Sequence, residues 1–444
     1  MSFINTLKDI FKIQALKEKI LLTIGLIAVY RFMSAVPLPG IDPNQLTALK
    51  DQTESGLLGL LNAFTGGAFA RASVMALGIM PYISASIVVQ LMGIAVPYLQ
   101  KLQKDGESGR KKITQITRWL TILITMVQGP TYITAIKTSF GLPDSAFLVM
   151  GATFWFSSMI LLTAGTIFAM WLGERITDKG IGNGISLLIT VGIIANFPVS
   201  FLQEVVSKTQ NSGGGGYMMI LIELIIWFVV LLLSVLLVTA IRKISVQYAR
   251  RTAVANLKEA TRSRQYIPLK LNAAGVMPII FAQAIMFLPV ALGQKYPALN
   301  SLADSFGLWY NVIFAALIIV FSYFYTAITI PTNKMAEDLK RSNGFVPGYK
   351  PGEETANYLD SVLSKITFPG SLFLAALSVL PAIVVKFGVT QNWAMFYGGT
   401  SLIIMVGVAI DTIQQINSYL LNSRYDGLMK TGKSKSRKSI KQYG

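Results

Sequence analysis

The sequence predicts an all-α, polytopic membrane protein with ten transmembrane helices, and three observations support that fold class. Of the 444 residues, 53% are hydrophobic and 14% are charged, whereas soluble domains carry about 25% charged residues. Apolar stretches long enough to cross a bilayer recur along the whole chain. The chain has no Cys and no His, which excludes disulfides, thiolate nucleophiles, imidazole bases and the usual zinc and haem ligands.

The ten predicted spans are apolar stretches of roughly 20 residues, the length that a bilayer requires. They cover residues 20–36, 72–96, 119–136, 147–172, 185–201, 217–241, 271–292, 308–330, 368–385 and 396–413. An even number of spans places both termini on the same side. Residues 1–19 hold four lysines ahead of a full span, and no small-residue cleavage pattern follows, so we expect this segment to be retained rather than removed as a signal peptide.

The basic residues are divided unequally between the two sides of the predicted membrane. The N-terminal segment, the loops after even-numbered spans and the C-terminal segment hold 31 Lys and Arg, against 6 in the loops after odd-numbered spans. Because basic loops remain in the cytoplasm, both termini are predicted to be cytoplasmic. The net charge of +18 is therefore expected on the cytoplasmic surface.

One apolar stretch between spans one and two is too short to cross the membrane. Residues 57–64 are followed by Thr65, Gly66 and Gly67 on the predicted outer side. Backbone at membrane depth persists only where it is buried in protein or lines a wet cavity. The segment is thus either a short helix in an enclosed space or an amphipathic helix at the membrane surface.

An internal sequence echo predicts two inverted halves. GIMPYISASIVVQL at residues 78–91 resembles GVMPIIFAQAIMFL at residues 275–288, five spans later. An odd number of spans makes the second copy enter from the opposite face, as in inverted-repeat membrane proteins with a pathway between the halves. We predict a first half at 20–201, a hinge loop at 202–216 with a run of glycines, and a second half at 217–413.

Few ionisable residues fall inside the predicted spans. Glu223 lies well inside span six, Asp411 near the cytoplasmic end of span ten and Arg31 near the outer end of span one. Each is close enough to an interface to pair or to reach water, so a structural role is favoured over proton or ion relay.

Two nucleotide-like motifs do not support an ATPase. GLMKTGKS at residues 427–434 has the spacing of a phosphate-binding loop, but no strand precedes it,. We interpret residues 414–444 as a basic, disordered cytoplasmic tail that contacts anionic lipid or an acidic partner. GIGNG at residues 180–184 is interpreted as a turn, because an all-helical chain has no βαβ unit.

Spans two and seven carry isoleucines beside a proline. The positions that share a helix face are Ile79, Ile83, Ser86 and Gln90 in span two, and Ile280 and Ala284 in span seven,. Pro81 and Pro278 remove helix hydrogen bonds and are expected to let these helices bend. The isoleucines form either a dewetted constriction that excludes ions or ordinary packed core.

Seven segments spread along the chain carry a family resemblance. They are VPLPGID from residue 36, FTGGAFARASVMALGIMPYISASIVVQL from 64, KDGESGRKK from 104, GERITDKGIGNGIS from 173, IPLKLNAAGVMP from 267, GFVPGYKPGEET from 344 and GGTSL from 398. Together they resemble the SecY family, the channel subunits of the bacterial Sec protein translocase, from span one to residue 427.

The resemblance implies an hourglass pore between two hinged five-helix halves, closed by a plug helix and flanked by a lateral gate. The pore ring would be Ile79, Ile83, Ile189, Ile280, Ala284 and Ile404. The plug, within residues 57–67, would comprise Leu57, Leu58, Leu60, Leu61, Asn62, Phe64, Thr65, Gly66 and Gly67. The lateral gate, where spans two and three meet seven and eight, would involve Gln90, Gln128, Pro81 and Pro278.

The resemblance also implies a docking surface on the loops after spans six and eight. Its basic residues would be Arg250, Arg251, Lys258, Arg262, Arg264, Lys340, Arg341 and Lys350. Exposed cations suit an acidic protein or ribosomal RNA. The family commonly has Arg where this chain has Lys350, which lacks the planar donor fork, and residues 250–266 lack an expected Gly-Arg-Arg stretch.

The implied partners are the SecE and SecG subunits, the SecA motor ATPase, the ribosome, unfolded preproteins and anionic lipid, with YidC and SecDF as further partners. We predict a protein-conducting channel of the bacterial inner membrane that needs no cofactor or metal and performs no covalent chemistry. A secondary transporter of a small solute, built from inverted repeats around Glu223, and a membrane scaffold without a pathway are the alternatives.

Overall fold

The computed structural model describes residues 13–43, 46, 62, 64–138, 147–148, 151–211, 216–248, 265–293, 302 and 304–440. Its elements, in chain order, are helices and three short strands. The helices are α1 Gln14–Ala35, α2 Met80–Ala95, α3 Pro97–Lys104, α4 Gly106–Thr138, α5 Ala152–Lys179, α6 Gly184–Asn211, α7 Gly216–Thr239, α8 Met277–Gly293, α9 Leu308–Thr329, α10 Thr332–Arg341, α11 Glu353–Lys386, α12 Gln391–Ala394 and α13 Gly399–Ile440. The strands are β1 Ile241–Tyr248, β2 Gln265–Lys270 and β3 Gly344–Phe345.

The helices confirm a polytopic membrane protein. Within the described residues, seven helices are long and apolar enough to cross a membrane, and an eighth is counted if α2 and α3 form one bent span. α8 contributes a shorter apolar helix, and each of the ten predicted spans overlaps a helix of the structure. The predicted ten-helix fold class is therefore confirmed.

The chain divides into two compact units. The first unit comprises Met1–Pro198 and Val408–Gly444, and the second unit comprises Val199–Gly407. Helix α6 passes from the first unit to the second at Pro198, and α13 passes back near its first turns.

Span two begins later than the hydropathy predicted. Residues 65–79 are mainly turns, and the helix starts at Met80 rather than at residue 72. Gly66, Gly67 and Gly78 have positive φ angles, which an α-helix does not accommodate,. The prediction of a helix from residue 72 is wrong because an apolar composition does not distinguish a buried turn from a helix.

Several helices extend beyond their predicted spans. α4 starts at Gly106 and α11 at Glu353, where Glu353 and Glu354 in the first turn suit the positive end of the helix dipole,. Helix α6 continues to Asn211, so most of the segment expected to be a hinge loop is helical. The segment interpreted as a disordered tail is helical as far as Ile440.

A small antiparallel sheet, which the all-α prediction did not include, joins two of the loops. β1 lies between β2 and β3, and Ile244 pairs with Ile267. Ile244 and Val246 are buried on one face of β1 while their neighbours are exposed. These side chains pack with Leu269, Leu339, Val346, Leu359 and Leu363 in one cluster. This cluster therefore holds β1 and β2 against α10 and the start of α11.

Candidate pore-lining residues and plug turn

The candidate pore residues of the first unit lie in a packed apolar environment. Ile79 directly precedes α2 and is 4% exposed, and Ile189 in α6 is 7% exposed. Ile79 and the partly buried Ile83 belong to a cluster with buried residues from α1, α5 and α6. This packing does not distinguish a pore constriction from ordinary packed core, because the side chains of a closed constriction also pack against one another.

The candidates of the second unit are on α8 and α13. Ile404 is 4% exposed, Ile280 is partly buried and Ala284 is exposed. The side-chain amide of Gln283 donates a hydrogen bond to the Thr400 hydroxyl at 3.2 Å, which ties α8 to the start of α13.

The sequence echo corresponds to the same local structure in both units. Gly78 and Gly275 have φ angles of +52° and +62°, and in each copy the helix begins two residues later. The amide of each glycine donates to the carbonyl three residues before it, at 2.9 Å in the first copy and 3.4 Å in the second. The echo is therefore a repeated helix start and not a chance match.

The two prolines of the echo do not bend their helices, contrary to expectation. Pro81 and Pro278 are each the second residue of their helix. An amide at this position has no partner within the helix, so the missing N–H costs nothing and the fixed φ favours helix initiation. The observed bend lies at Pro97, where α2 and α3 meet at 102°.

Residues 64–79, here called the turn segment, include four of the five described residues of the predicted plug. Phe64 and Thr65 are 8% and 2% exposed. Among the predicted plug residues, Leu57, Leu58, Leu60 and Leu61 lie outside the described residues. Asn62 is described, and its side-chain oxygen accepts a hydrogen bond from the Ala70 amide at 3.0 Å. This bond links the residues before the glycine pair to those after it.

The turn segment is attached to α1 and α6 at Gly66. Nη1 of Arg31 donates a hydrogen bond to the Gly66 carbonyl at 2.9 Å. Gly66 has a φ of +65°, and a Cβ atom there would lie 2.9 Å from Cα of Gly192. From the sequence, Arg31 was identified only as an ionisable residue near the end of a span. Its partner is a backbone carbonyl 35 residues away, which no sequence pattern reveals.

Further contacts hold the turn segment on its other sides. The Val74 amide donates to the Val36 carbonyl at 3.0 Å, and the Leu38 amide donates to the Ala72 carbonyl at 2.8 Å. The Tyr132 hydroxyl on α4 donates to the Phe69 carbonyl at 2.7 Å. Backbone polar groups of this buried turn are thus paired although the segment is not helical.

The gate candidates on the first unit do not pair with each other in any described contact. Gln90 donates a hydrogen bond to the Ser86 hydroxyl, one turn earlier on α2, at 3.1 Å. Gln128 is exposed on α4. A polar contact across the gate stays a prediction.

The described docking candidates surround the sheet. Lys340 and Arg341 end α10, and Lys350 precedes α11. Arg341 and Lys350 lie 3.8 Å and 3.7 Å from Glu337 and Glu354, with highly exposed side chains. The other candidates, Arg250, Arg251, Lys258, Arg262 and Arg264, lie outside the described residues.

Glu223 has partners that the sequence did not indicate. Lys208 on α6 lies 3.1 Å from its Oε1, and Glu204 is one turn before Lys208. All three are buried. Glu223 is therefore part of an ion cluster and not an isolated carboxylate facing a solute.

Apolar membrane-spanning helices and a buried turn between α1 and α2 define a polytopic membrane protein. Residues 73–413 match the SecY family model. The chain belongs to the SecY family.

Known proteins agree with this assignment. The chain is 35% identical to the protein translocase subunit SecY of Chlamydia muridarum, over 98% of this chain and all of the relative. A solved structure concerning the SecY plug domain and the closed translocation channel superposes with a TM-score of 0.60 at 17% identity, covering 90% of this chain and 92% of that one. The Sec61 channel in a canine ribosome complex superposes with a TM-score of 0.55 at 17% identity, covering 90% and 91%. The two structures establish the fold.

The chain is accordingly a protein-conducting channel of the translocase type. The alternative of a small-solute transporter is not favoured, because the chain belongs to the SecY family, whose curated relatives are protein translocase subunits.

Proposed function

We propose that the chain conducts unfolded preproteins outward across the bacterial inner membrane and releases apolar helices sideways into the lipid. The observation that carries this proposal is the position of a glycine turn, attached through Arg31 and Gly66, in the same unit as the buried Ile79 and the partly buried Ile83. Apolar side chains have no sequence preference, so they can close around varied chains while excluding ions. The protein itself performs no covalent chemistry.

The pore ring in this proposal consists of Ile79, Ile83, Ile189, Ile280, Ala284 and Ile404. Support comes from the burial of Ile79, directly before α2, and of Ile189 and Ile404 on α6 and α13. Ala284 is exposed and has a smaller side chain than isoleucine, so the ring would be widest at this position.

The plug in this proposal is the segment of residues 57–67, and the turn segment is its attachment. The glycine pair Gly66 and Gly67 follows Thr65 and carries positive φ angles of +65° and +85°. Such a backbone allows the preceding residues to enter the cavity while the chain returns to α2. The related structure that concerns a plug domain supports this reading.

The lateral gate in this proposal involves α2 and α4 of the first unit and α8 and α9 of the second. Gln90 and Gln128 lie on the first pair of helices. Pro81 and Pro278 act by starting α2 and α8 at fixed positions, rather than by bending them.

The docking surface in this proposal is built on the three-stranded sheet, with Lys340, Arg341 and Lys350 among its cations. The buried side chains of β1 support it by anchoring the neighbouring loops. Proposed partners are SecE and SecG, SecA, the ribosome, anionic lipid, YidC and SecDF; the ribosome-bound relative supports the ribosome among them. Energy would come from the motor, translation or the membrane potential.

The proposed orientation has both termini in the cytoplasm, with two five-helix halves at 20–201 and 217–413. Support comes from the 31 to 6 division of basic residues,. The docking cations then lie on the same side as the termini.

Crosslinking to an arrested preprotein tests the proposed pore. A photoreactive residue at Ile83 or Ile280 is expected to crosslink to a secretory chain stalled in transit. The matched control is Leu123 on α4, which is 60% exposed on a membrane-spanning helix and should crosslink to lipid instead. Equal crosslinking to the secretory chain from all three positions, or from none, would contradict the ring assignment.

A further inference from the structure

A buried cluster of ionisable side chains joins the end of α6, helix α7 and the loop between α11 and α12, all within the second unit. The ammonium group of Lys208 lies 3.1 Å from Oε1 of Glu223 and donates a hydrogen bond to the Gly388 carbonyl at 2.8 Å. It lies 3.7 Å from Oε1 of Glu204. The exposed fractions of Glu204, Lys208 and Glu223 are 1%, 7% and 9%.

Two carboxyl oxygens of this cluster lack a hydrogen-bond donor. Oε2 of Glu204 accepts from the Thr390 amide at 2.9 Å and from the Thr390 hydroxyl. Oε1 of Glu204 and Oε2 of Glu223 are buried and have no hydrogen-bond partner among the described residues. Both carboxyl groups lie beside the same ammonium group of Lys208, so the two acids are close to each other. Two ionised carboxylates in this position have no donor to offer each other.

The cluster also carries one more negative charge than positive charge when all three side chains are ionised. Two carboxylates and one ammonium group leave a single uncompensated negative charge, and Lys208 is the one cation that the described ion pairs give to either carboxylate. Burying an unpaired charge is much less favourable than burying a neutral acid. One bound proton would make the cluster neutral and would supply the missing donor between the two oxygens.

We propose that Glu204 and Glu223 form a proton-binding site, in which the two carboxyl groups share one proton beside Lys208. The proton forms an O–H bond on one carboxyl group and is donated to the facing oxygen of the other. The remaining carboxylate is balanced by the ammonium group. This site is independent of the proposed pore, plug and gate.

Aromatic residues lie on the neighbouring elements, and one of them is a further titratable group. Trp393 is 1% exposed and its ring contacts those of Phe201 and Trp227 at 5.2 and 6.2 Å. The hydroxyl of Tyr397 donates to the backbone carbonyl of Glu223 at 2.8 Å. Because Lys208 and Glu204 both hold the loop at Gly388 and Thr390, loss of the proton would place a net negative charge where α6, α7 and this loop meet.

Infrared spectroscopy of the full chain, purified with its partner subunits in a detergent that has no ester or carboxyl group, tests the site directly. The C=O stretch of a protonated carboxyl group is separate from the bands of ionised carboxylates. At neutral pH the unmodified protein is expected to show this band, and Glu223→Gln and Glu204→Gln are each expected to remove it. Lys208→Met should about double its intensity, since both carboxyl groups must then be neutral.

The matched control is Glu174→Gln. Glu174 pairs with Arg118, one carboxylate with one cation, so this substitution should leave the protonated-carboxyl band unchanged. The proposal is overturned if the unmodified protein has no such band, or if neither Gln variant at positions 204 and 223 removes it. If Lys208→Met does not fold, the two Gln variants decide the question by themselves. Preprotein crosslinking at the pore positions is a separate readout that failure of the proton site would not alter.

Discussion

At the residue scale, position 66 requires glycine because of both its backbone conformation and the close approach of its neighbours. Its φ of +65° is unfavourable for any residue with a side chain, and a Cβ atom would lie 2.9 Å from Cα of Gly192,. The same residue accepts the hydrogen bond from Arg31. Gly66 therefore sets the local conformation of the turn segment and also provides one of its tertiary attachments.

Replacing Gly66 with Ala is expected to loosen the turn segment. The backbone strain is worth roughly 1–2 kcal/mol, and the contact with Gly192 adds to it. We expect a larger resting ion conductance in planar bilayers and a lower melting temperature. The control is Gly25→Ala on α1, where a Cβ atom meets nothing within 4 Å; equal conductance in both variants would argue against the role given to Gly66.

Contacts between individual side chains were also the feature that the sequence predicted least well. The candidate isoleucines could be named because they recur at helical spacing and match a family. The partners of Arg31 and Glu223 could not, since Gly66 is 35 residues from Arg31 and Lys208 belongs to a different helix from Glu223. Such contacts depend on how helices pack, and neither hydropathy nor spacing encodes that packing.

At the element scale, helix starts and ends account for most differences between prediction and structure. Apolar length predicts where a span exists, and all ten predicted spans overlap helices. It does not predict the start of α2, because residues 65–79 are as apolar as a helix but contain three glycines with positive φ. The sheet was missed because its buried residues occur in short strands of loops that read as polar and basic.

Substituting Pro278 with Ala is expected to have little effect on the stability of α8. Proline at the start of a helix is favoured but not required, so the change in unfolding free energy should be within about 1 kcal/mol. The measurement is thermal unfolding, with Pro130→Ala inside α4 as the comparison. A large loss of stability in Pro278→Ala would indicate that this proline does more than start the helix.

Introducing a charge on the buried face of β1 is expected to disrupt the sheet. Val246→Asp places an unpaired carboxylate among apolar side chains, at a cost of several kcal/mol unless it takes up a proton,. We expect faster proteolysis of the flanking loops and weaker ribosome binding. Ser245→Asp, on the exposed face of the same strand, is the control; similar proteolysis of both variants would contradict the anchoring role of the sheet.

At the scale of the whole molecule, the length of α11 allows the membrane topology to be tested. It runs from Glu353 to Lys386 over 34 residues, which corresponds to about 50 Å of helix and exceeds the thickness of the hydrocarbon core. Residues just before and just after α11 should therefore lie on opposite sides of the membrane.

Cysteine labelling tests the proposed orientation without background, because the natural chain has no Cys. Tyr349→Cys should be modified by a membrane-impermeant maleimide only from the cytoplasmic side, and Phe387→Cys only from the outer side. Both side chains are exposed, Phe387 at 83%. The reverse pattern, or labelling of both positions from one side, would invalidate the orientation drawn from the basic residues.

The repeated Gly-x-Met-Pro start has a further consequence for hydrogen-bond accounting. A helix usually begins with four unpaired amides, which a polar side chain or water must satisfy. Here the Met80 amide donates to the Leu77 carbonyl and the Ile83 amide to the Ile79 carbonyl, while Pro81 has no amide hydrogen. The Ile279 and Ile280 amides both donate to the Val276 carbonyl. Two of the first three residues of each helix thus need no capping oxygen that would attract water: Met80 and Pro81 in α2, and Pro278 and Ile279 in α8.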